Sequence, residues 1–250
     1  MSHSEHNAPE QAVPIMRPQD VVPANLAGRL EIVTSNDPAS AIWQEAAAIE
    51  AQVFDECGYD TPEELTAEYA PYVDTSEMIG LLRKNGDGVV MVGASRVADP
   101  HPKEGLKTIR DLEAGRLKLD ALGHAALKGV DLKHGTMSID TISLDKQFRH
   151  GASAGYVGLL YAAQYIRAIN KGYKHIVASF DSGYWGGFQR RFGHFAVSLG
   201  PAVEYQGSPS VPVLIDLDKA SLNDFRLRRE RKEPDEAASA PRVAPTADAA

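Results

Sequence analysis

A seven-residue turn of small side chains, led by an arginine, is the clearest candidate for chemistry in this sequence. It runs Arg149-His-Gly-Ala-Ser-Ala-Gly155, directly after an alternating apolar segment at 137–144 that predicts a strand. A long apolar segment of helical character follows the turn. A strand that leads through small residues into a helix presents unpaired backbone N–H groups and the positive end of a helix dipole. The segment therefore predicts a site for a phosphate or pyrophosphate.

One carboxylate interrupts the apolar strand before this turn. Asp140 lies among apolar residues, where an ionised carboxylate costs free energy unless it is paired or serves a function. Two interpretations stay open at this stage. Asp140 is either a catalytic base, or a core residue satisfied by a backbone N–H group or an arginine. Asp145, in contrast, is interpreted as a cap or turn residue ahead of Arg149.

The histidines and the cysteine do not predict a metal site. His101, His124 and His134 lack the spacing of metal ligands, and the single Cys57 has no partner ligand nearby in the sequence. A single cysteine also excludes an internal disulfide and fits a reducing compartment.

Composition excludes several classes of protein. With 43% hydrophobic and 24% charged residues, 250 residues can bury one sizeable core. The formal charge of −8 argues against nucleic-acid binding, which requires a basic surface. No apolar run reaches the length of a membrane span, and the first residues lack the order of a secretion signal, so we expect a cytoplasmic location.

The middle of the chain predicts a mixed α/β (α+β) fold. Apolar spacing predicts a helix at 38–53, capped by Ser35 or Asp37, and Thr61-Pro-Glu-Glu64 is typical of a second helix start. Asn85-Gly-Asp-Gly88 predicts a hairpin between two strands. Strand, helix and strand then follow the 149–155 turn. The element order predicts a mixed sheet of about seven strands, with an antiparallel first half, a βαβ crossover and helices on both faces.

We predict one domain at 28–220, between two unstructured tails. Residues 1–27 are polar and rich in proline, and a basic run at 226–232 leads into an Ala/Pro/acidic tail within 221–250. Residues 99–135 break the strand pattern with two helical segments, around 106–112 and 117–127. We interpret this stretch as an insertion that lies over the sheet.

Five motifs in this order resemble the GCN5-related N-acyltransferase superfamily. They are found between residues 32 and 217, and they are closest to the branch of N-acyl amino acid synthases and acyl-homoserine-lactone (autoinducer) synthases. The motifs are Val53-Phe54, Tyr72-Val-Asp74-Thr-Ser76, Val92-Gly-Ala-Ser-Arg96-Val, Asp145-Lys-Gln-Phe-Arg149, and Leu199-Gly-Pro201 continuing to Val211-Pro-Val-Leu-Ile-Asp216.

The resemblance implies a fold and an acyl donor. In that superfamily the fourth and fifth strands splay apart, and the pantetheine arm of acyl-CoA or acyl-carrier protein lies between them. The cofactor's phosphates bind the turn after the fourth strand. Carried onto this sequence, the phosphate site would comprise Arg149, Gly151, Ser153 and Gly155.

Two departures from the superfamily pattern are visible. Acetyltransferases place glycine at the third position after the arginine and glycine or alanine at the fifth, whereas here Ala152 and Ala154 stand there and the glycines are displaced to 151 and 155. The tyrosine that protonates the leaving thiolate in many acetyltransferases aligns with Gln189. Both departures are easier to reconcile with the synthase branch, in which a carrier protein can replace CoA.

The implied reaction assigns roles to four further positions. Acyl transfer from a thioester to an amine needs a group that takes the amine proton, and Asp140 is the first candidate. Asp74 and Arg96 match positions near the amine substrate in autoinducer synthases, although an Arg96–Asp74 or Arg96–Asp140 pair would be structural as easily as substrate-binding. Phe54 is a core residue that the acyl chain could pass.

The leading hypothesis is an N-acyltransferase whose acceptor is a small-molecule amine, for example an amino acid. An acetyltransferase that uses acetyl-CoA is the first alternative. The second is a non-catalytic protein that binds an acyl-thioester or a partner. The sequence does not choose between CoA and carrier protein as donor.

Overall fold

A computed structural model describes residues 16–86, 88–150 and 155–225. Its eight strands belong to one sheet, in the order β1-β2-β3-β4-β5-β8-β6, with β7 paired to β8. The strands are β1 Leu30–Ser35, β2 Ser76–Asn85, β3 Gly88–Ala98, β4 Thr136–Leu144, β5 His175–Asp181, β6 Ala196–Ser198, β7 Val203–Tyr205 and β8 Ser208–Asp216. This mixed sheet confirms the predicted fold class, with one strand more than the seven expected, because the three-residue β7 is too short to show a periodicity.

The sheet splits between β4 and β5. These two strands are parallel, and they pair only from Thr136 with His175 to Ile139 with Ala178. On its other side β4 stays paired with β3 as far as Leu144, and β5 stays paired with β8 as far as Asp181. Each strand therefore keeps its outer partner while the two inner edges part. The splayed pair that the sequence predicted is confirmed.

A β-bulge lies where the split begins. Arg96 of β3 pairs with Thr141 of β4, while the next residue, Val97, pairs with Ile139. Asp140 is thus the extra residue of the bulge, one position beyond the last β4–β5 pair. Bulges redirect side chains and are common beside active sites.

Helices cover both faces of the sheet. In chain order they are α1 Ala41–Cys57, α2 Pro62–Tyr69, α3 Lys107–Glu113, α4 Ala121–Leu127, α5 Tyr156–Asn170, α6 Ser182–Phe192 and α7 Leu222–Phe225. We call the side with α1 to α4 the first face and the side with α5 to α7 the second face. Trp43 and Ala46 of α1 pack on Met78 and Ala94 in the first-face core, and α5 dominates the larger second-face core.

The first two helices begin at local capping signals. The Ser40 hydroxyl accepts a hydrogen bond from the Trp43 backbone N–H, so Ser40 is the cap of α1, and the predicted cap at Ser35 or Asp37 is wrong. Gly58, with φ +71°, ends α1 in the left-handed conformation that favours glycine. Thr61 and Glu64 form the capping box that the sequence predicted for α2.

Residues 99–135 form two helices that pack on the first face over β5 and β8. Leu106 ahead of α3 shares a buried cluster with Val177 of β5 and Leu214 of β8. On α4, a Cβ atom at Gly123 would stand 1.8 Å from the Leu199 carbonyl oxygen, so only glycine permits this approach. The interpretation of 99–135 as a separate insertion stays a prediction.

Part of the predicted N-terminal tail, residues 16–27, packs against the folded domain. From residue 16 onward the structure describes the chain, and a 3-10 helix at Pro18–Val21 leads to a buried Val22. Val22 belongs to the same core as α5, and apolar contact of this kind offsets the entropy of ordering the segment. The boundary at 27 is therefore wrong for residues 16–27. Residues 1–15 and the basic run at 226–232 lie outside the described residues.

Candidate active site at the split between β4 and β5

A cavity of about 520 Å³ occupies the split between β4 and β5. Residues 139–142 of β4 and 178–181 of β5 line it. The other lining residues come from both faces of the sheet, with Val53 and Phe54 of α1 on the first face and Tyr161 of α5 and Phe188 of α6 on the second. The cavity therefore extends through the sheet, which is possible only because the inner edges of the two strands are unpaired.

Asp140 lies in this cavity and is the most unusual of its residues. Both carboxylate oxygens are buried, and neither has a hydrogen-bond partner of good geometry among the described residues. Burial raises the pKa of Asp140 to about 6, and Glu50 adds to the rise, while the Ser138 hydroxyl and the charges of Lys107 and Arg96 oppose it. A carboxylate with a pKa near 6 is suited to accept a proton at neutral pH. The core interpretation, in which Asp140 has a direct partner, is not what the described residues show.

The second-face end of the cavity is apolar and aromatic. The Tyr161 ring stacks on Phe180 at 6.3 Å between centroids and meets Phe188 edge-on at 5.3 Å. Phe188 in turn lies 4.7 Å from Phe192. Aromatic pairs at these distances stabilise one another and form a rigid apolar wall. This end can bury an alkyl chain.

Arg149 lies at the cavity's edge but is already paired. Its guanidinium donates to Glu56 at 2.8 Å and to the Leu144 carbonyl at 2.6 Å, and one nitrogen lies 3.9 Å from the Cys57 sulfur. Gly155 directly precedes α5, a 15-residue helix whose residues 157 and 158 line the cavity. The positive end of this helix therefore faces the split. Gly151 and Ser153, also predicted for the phosphate site, lie outside the described residues.

Arg96 forms a buried ion pair with Glu50. The two side chains meet through Nε to Oε1 at 3.1 Å and Nη2 to Oε2 at 2.5 Å, and both are more than 90% buried. The guanidinium lies over the Tyr69 ring at 4.9 Å, and the Thr141 hydroxyl donates to Glu50. The predicted Arg96–Asp74 or Arg96–Asp140 pair is therefore wrong, because a carboxylate on α1 supplies the charge.

Of the three predicted substrate-binding residues, the cavity contains only Phe54. Phe54 is buried, packs edge-on against Tyr59 at 5.5 Å and lines the first-face end. Arg96 and Asp74 are not among the lining residues, and Asp74 is exposed. Their role in substrate binding stays a prediction.

Sequence reasoning missed a second buried ionic cluster beside the cavity. Lys107 of α3 is 4% exposed and contacts Asp111 at 2.9 Å, Glu68 at 2.8 Å and the Tyr205 hydroxyl. Tyr205, which lines the cavity, donates to Asp111 at 2.5 Å. Burial raises the pKa of Tyr205, with the neighbouring Tyr69 and Asp111 adding to the effect. The spacing of Lys107 and Asp111, four residues apart, could have indicated an ion pair on one helix. Their contact with Tyr205, almost 100 residues away, could not be seen in the sequence.

Tyr59 and Asp181, both also missed, meet across the mouth of the cavity. The Tyr59 hydroxyl donates to Asp181 at 3.0 Å, and Asp181 also accepts from the Gly183 backbone N–H at 2.7 Å as the cap of α6. Tyr59 follows α1 and Asp181 ends β5, so this bond ties the first face to the far strand of the split. Gln189, at the usual tyrosine position, is not among the lining residues.

The described residues offer neither a metal cluster nor a membrane span. Within those ranges no three His, Cys, Asp or Glu side chains are placed to hold a metal ion. None of the described helices combines the length and apolar content that a bilayer crossing requires.

The structure resembles solved acyl synthases and shares their fold. It matches FeeM, an N-acyl amino acid synthase from uncultured soil microbes, with a TM-score of 0.55 at 14% identity, over 76% of this chain and 92% of that one. It matches the AHL synthase LasI with a TM-score of 0.53 at 16% identity, over 81% of this chain and 98% of LasI. BjaI, a CoA-dependent acyl-homoserine lactone synthase, matches with a TM-score of 0.51 at 14% identity, over 79% of this chain and 87% of that one. No family model and no curated protein matches the chain. The fold predicted from the synthase-like motifs is confirmed.

Proposed function

We propose that this protein is an N-acyltransferase that moves an acyl group from a thioester to the amine of a small molecule. One observation carries the proposal: the cavity through the split has an aromatic end for an acyl chain and a buried carboxylate, Asp140, at the opposite end. FeeM, LasI and BjaI share the fold, and their names describe acyl synthases. The thioester carbon would then lie at the split itself, between the two ends.

In the proposed reaction the amine nitrogen attacks the thioester carbonyl carbon. The new C–N bond forms, the carbonyl oxygen becomes an oxyanion, and the ammonium proton passes to Asp140. When the tetrahedral intermediate collapses, the C–S bond breaks and the thiolate leaves with the electron pair. Backbone N–H groups on the unpaired edge of β4 beyond Ile139 are available to the oxyanion. The positive end of α5 favours the thiolate, which replaces the role of a tyrosine acid.

The donor is proposed to be an acyl-CoA, with acyl-carrier protein as the alternative. The CoA-dependent synthase BjaI, which shares the fold, supports CoA. Arg149 and the start of α5 lie at the cavity edge where the diphosphate would bind. The aromatic end favours a chain longer than acetyl, since an acetyl group would leave this apolar surface uncovered.

A thermal-shift series of acyl-CoAs tests the donor. With acetyl, butyryl, octanoyl and dodecanoyl-CoA, we expect the melting temperature to rise with chain length, because ligand that binds only the folded state stabilises it. A shift with acetyl-CoA alone would instead support an acetyltransferase. Binding of long-chain donors without turnover on any amine would leave the non-catalytic alternative, and no shift with any donor would contradict the proposal.

A pair of variants tests the proposed phosphate site. Arg149→Ala should weaken octanoyl-CoA binding about tenfold, the usual loss for one charge-assisted contact. Glu56→Gln should bind as tightly as the wild type or more so, because Glu56 holds the Arg149 guanidinium at 2.8 Å. Titration calorimetry without an acceptor measures both. Equal affinity in all three proteins would place the phosphates elsewhere.

A further inference from the structure

The first-face end of the cavity is the end where the acceptor amine would bind, on the proposed function. Asp140 lies there, and Tyr205, Gln206 and Ser208 from the β7–β8 turn complete its lining. We call these four residues the carboxylate end. The charged groups close to it come from α1, α2, α3 and β3 and from the connections after α1 and α3, and their pairing decides which acceptor it can hold.

Among the described residues, each cation around the carboxylate end is already neutralised by a protein carboxylate. Arg96 is held by Glu50 through two hydrogen bonds. Lys107 contacts Glu68 at 2.8 Å and Asp111 at 2.9 Å.

Arg116 completes this set. Arg116 pairs with the two carboxylates that also hold Lys107: it lies 3.3 Å from Asp111, and it contacts Glu68 more closely. Three cations therefore face three carboxylates, and among the described residues around this end no positive charge is left over for a ligand.

The negative charge at this end exceeds the positive charge. Asp140 comes in addition to the three paired carboxylates, and both its oxygens are buried without a good hydrogen-bond partner. Asp60, next to Tyr59, adds a further half-buried carboxylate close to Glu68 and Lys107. An ammonium group would supply the missing counter-charge. A carboxylate on the same ligand would face Asp140 at close range with no cation to bind it.

Two arginines, Arg149 and Arg191, do line the cavity, and they belong to different parts of it. Arg149 lies at the edge beside the start of α5 and is paired with Glu56. Arg191 belongs to α6 on the second face, where its guanidinium lies 4.9 Å from the Phe192 ring and donates to the Asp224 carbonyl at 3.5 Å. The sheet separates Arg191 from the carboxylate end, whereas Arg149 contacts α1 on the first face but already has Glu56 as its carboxylate partner.

We infer that the acceptor is an amine that carries no carboxylate, such as an arylalkylamine, an alkylamine, a diamine, or an amino-acid amide or ester. This inference rests on the proposed acyltransferase function and narrows its acceptor. A free α-amino acid, the acceptor class that the sequence suggested first, is disfavoured because its carboxylate would find no available cation there among the described residues, only neutral donors such as the Gln206 amide. The Asp140 carboxylate pairs with the ammonium form on binding; the ammonium then loses one proton to water, and Asp140 takes the second proton when the neutral amine attacks.

The preference for acceptors without a carboxylate can be tested with sets of amines that differ only in that group. Tyrosine, tyrosinamide and tyramine share one ring and one amine, and lysine with cadaverine forms a second set. With wild-type protein and octanoyl-CoA, free-thiol release and product mass give kcat/KM for each acceptor. We expect tyrosinamide, tyramine and cadaverine to exceed their parent amino acids at least tenfold. Equal or greater kcat/KM for the free amino acids would overturn the inference while leaving the acyltransferase function in place.

Failure of the function itself would look different. No acylated product from any acceptor, with no thiol release, would remove the acyltransferase proposal and this inference together. Product from tyrosine or lysine, but not from the analogues without a carboxylate, would remove only the inference.

Equilibrium binding separates the contribution of Asp140 from turnover. Calorimetry with the wild type should show tighter binding of tyramine than of tyrosine, and Asp140→Asn should reduce this preference about tenfold. Glu204→Gln is the matched control, because Glu204 is an exposed carboxylate on β7 that does not line the cavity, and it should keep the full preference. If Asp140→Asn keeps the wild-type preference, or the wild type has none, the inference is wrong.

Discussion

Asp140→Asn is expected to lower kcat/KM for acyl transfer by about 10²- to 10³-fold, the range typical of losing a general base. Asparagine has nearly the same shape as aspartate, so the β4 bulge and the cavity should persist, and octanoyl-CoA should bind with the affinity of the wild type. The reason is specific to the site: Asp140 lines the cavity, and both its carboxylate oxygens are buried without a hydrogen-bond partner of good geometry among the described residues. Steady-state kinetics and donor titration on the same samples measure the two quantities. An unchanged rate would remove Asp140 from the mechanism.

The pH profile gives a second readout for this variant. Burial raises the pKa of Asp140 to about 6, so the wild-type kcat/KM should rise with pH through this region and level off above it. The groups that set this pKa are Lys107 on α3, Arg96 on β3 and Glu50 on α1, together with Ser138 on β4 itself. Asp140→Asn should show no such rise. If kcat/KM of the variant rises with pH at the same midpoint as in the wild type, the titrating group is not Asp140.

The same substitution should stabilise the fold at neutral pH. In the unfolded chain Asp140 ionises near pH 4, while in the folded protein it keeps its proton until about pH 6. The wild type should therefore lose stability as the pH rises from about 4 to 6, by about 3 kcal/mol, and stay level above that range. Asp140→Asn lacks this loss and should be more stable at pH 7 and less active, as measured by urea unfolding at several pH values. Lower stability together with lower activity would indicate a structural role instead.

Much of the site's framework could be predicted because it is local in sequence. The alternation of β4 and the small-residue turn before α5 predict strand, turn and helix within 20 residues, and Asp140 is conspicuous as the one charge in that strand. The Thr61–Glu64 capping box is equally local. Such features need no knowledge of which distant elements meet.

The partners of the buried charges could not be predicted because they are far apart in the chain. Glu50 and Arg96 are separated by 46 residues, and Lys107 and Tyr205 by 98. On α1 the buried stripe includes Ala46 and Val53, as apolar helical spacing predicts, but it also includes Glu50, which is 1% exposed, in place of Ile49, which is only half-buried. Helical spacing permits either Ile49 or Glu50 on that stripe. Arg96 decides between them, because a buried guanidinium on β3 requires a carboxylate opposite it.

Breaking that pair gives the largest expected change in stability. Glu50→Leu should lower the free energy of unfolding by about 3–5 kcal/mol, because it leaves the Arg96 guanidinium buried without a counter-charge and removes the acceptor of the Thr141 hydroxyl. The double variant Glu50→Leu/Arg96→Met replaces the pair with apolar side chains of similar length. It should recover most of the loss, since an apolar replacement of a buried pair is often neutral. Denaturant unfolding of the wild type, both single variants and the double variant completes the cycle.

The double variant also tests the sequence-based role of Arg96. If the Glu50–Arg96 pair is structural, the acceptor KM of the double variant should stay within about threefold of the wild type, since neither residue lines the cavity. An increase of about tenfold in acceptor KM with unchanged kcat would instead give Arg96 a part in holding the amine. Equal destabilisation by the single and the double variants would mean that the charges are not coupled across the 2.5 Å contact, and α1 would owe its position over β3 to Trp43 and Ala46 alone.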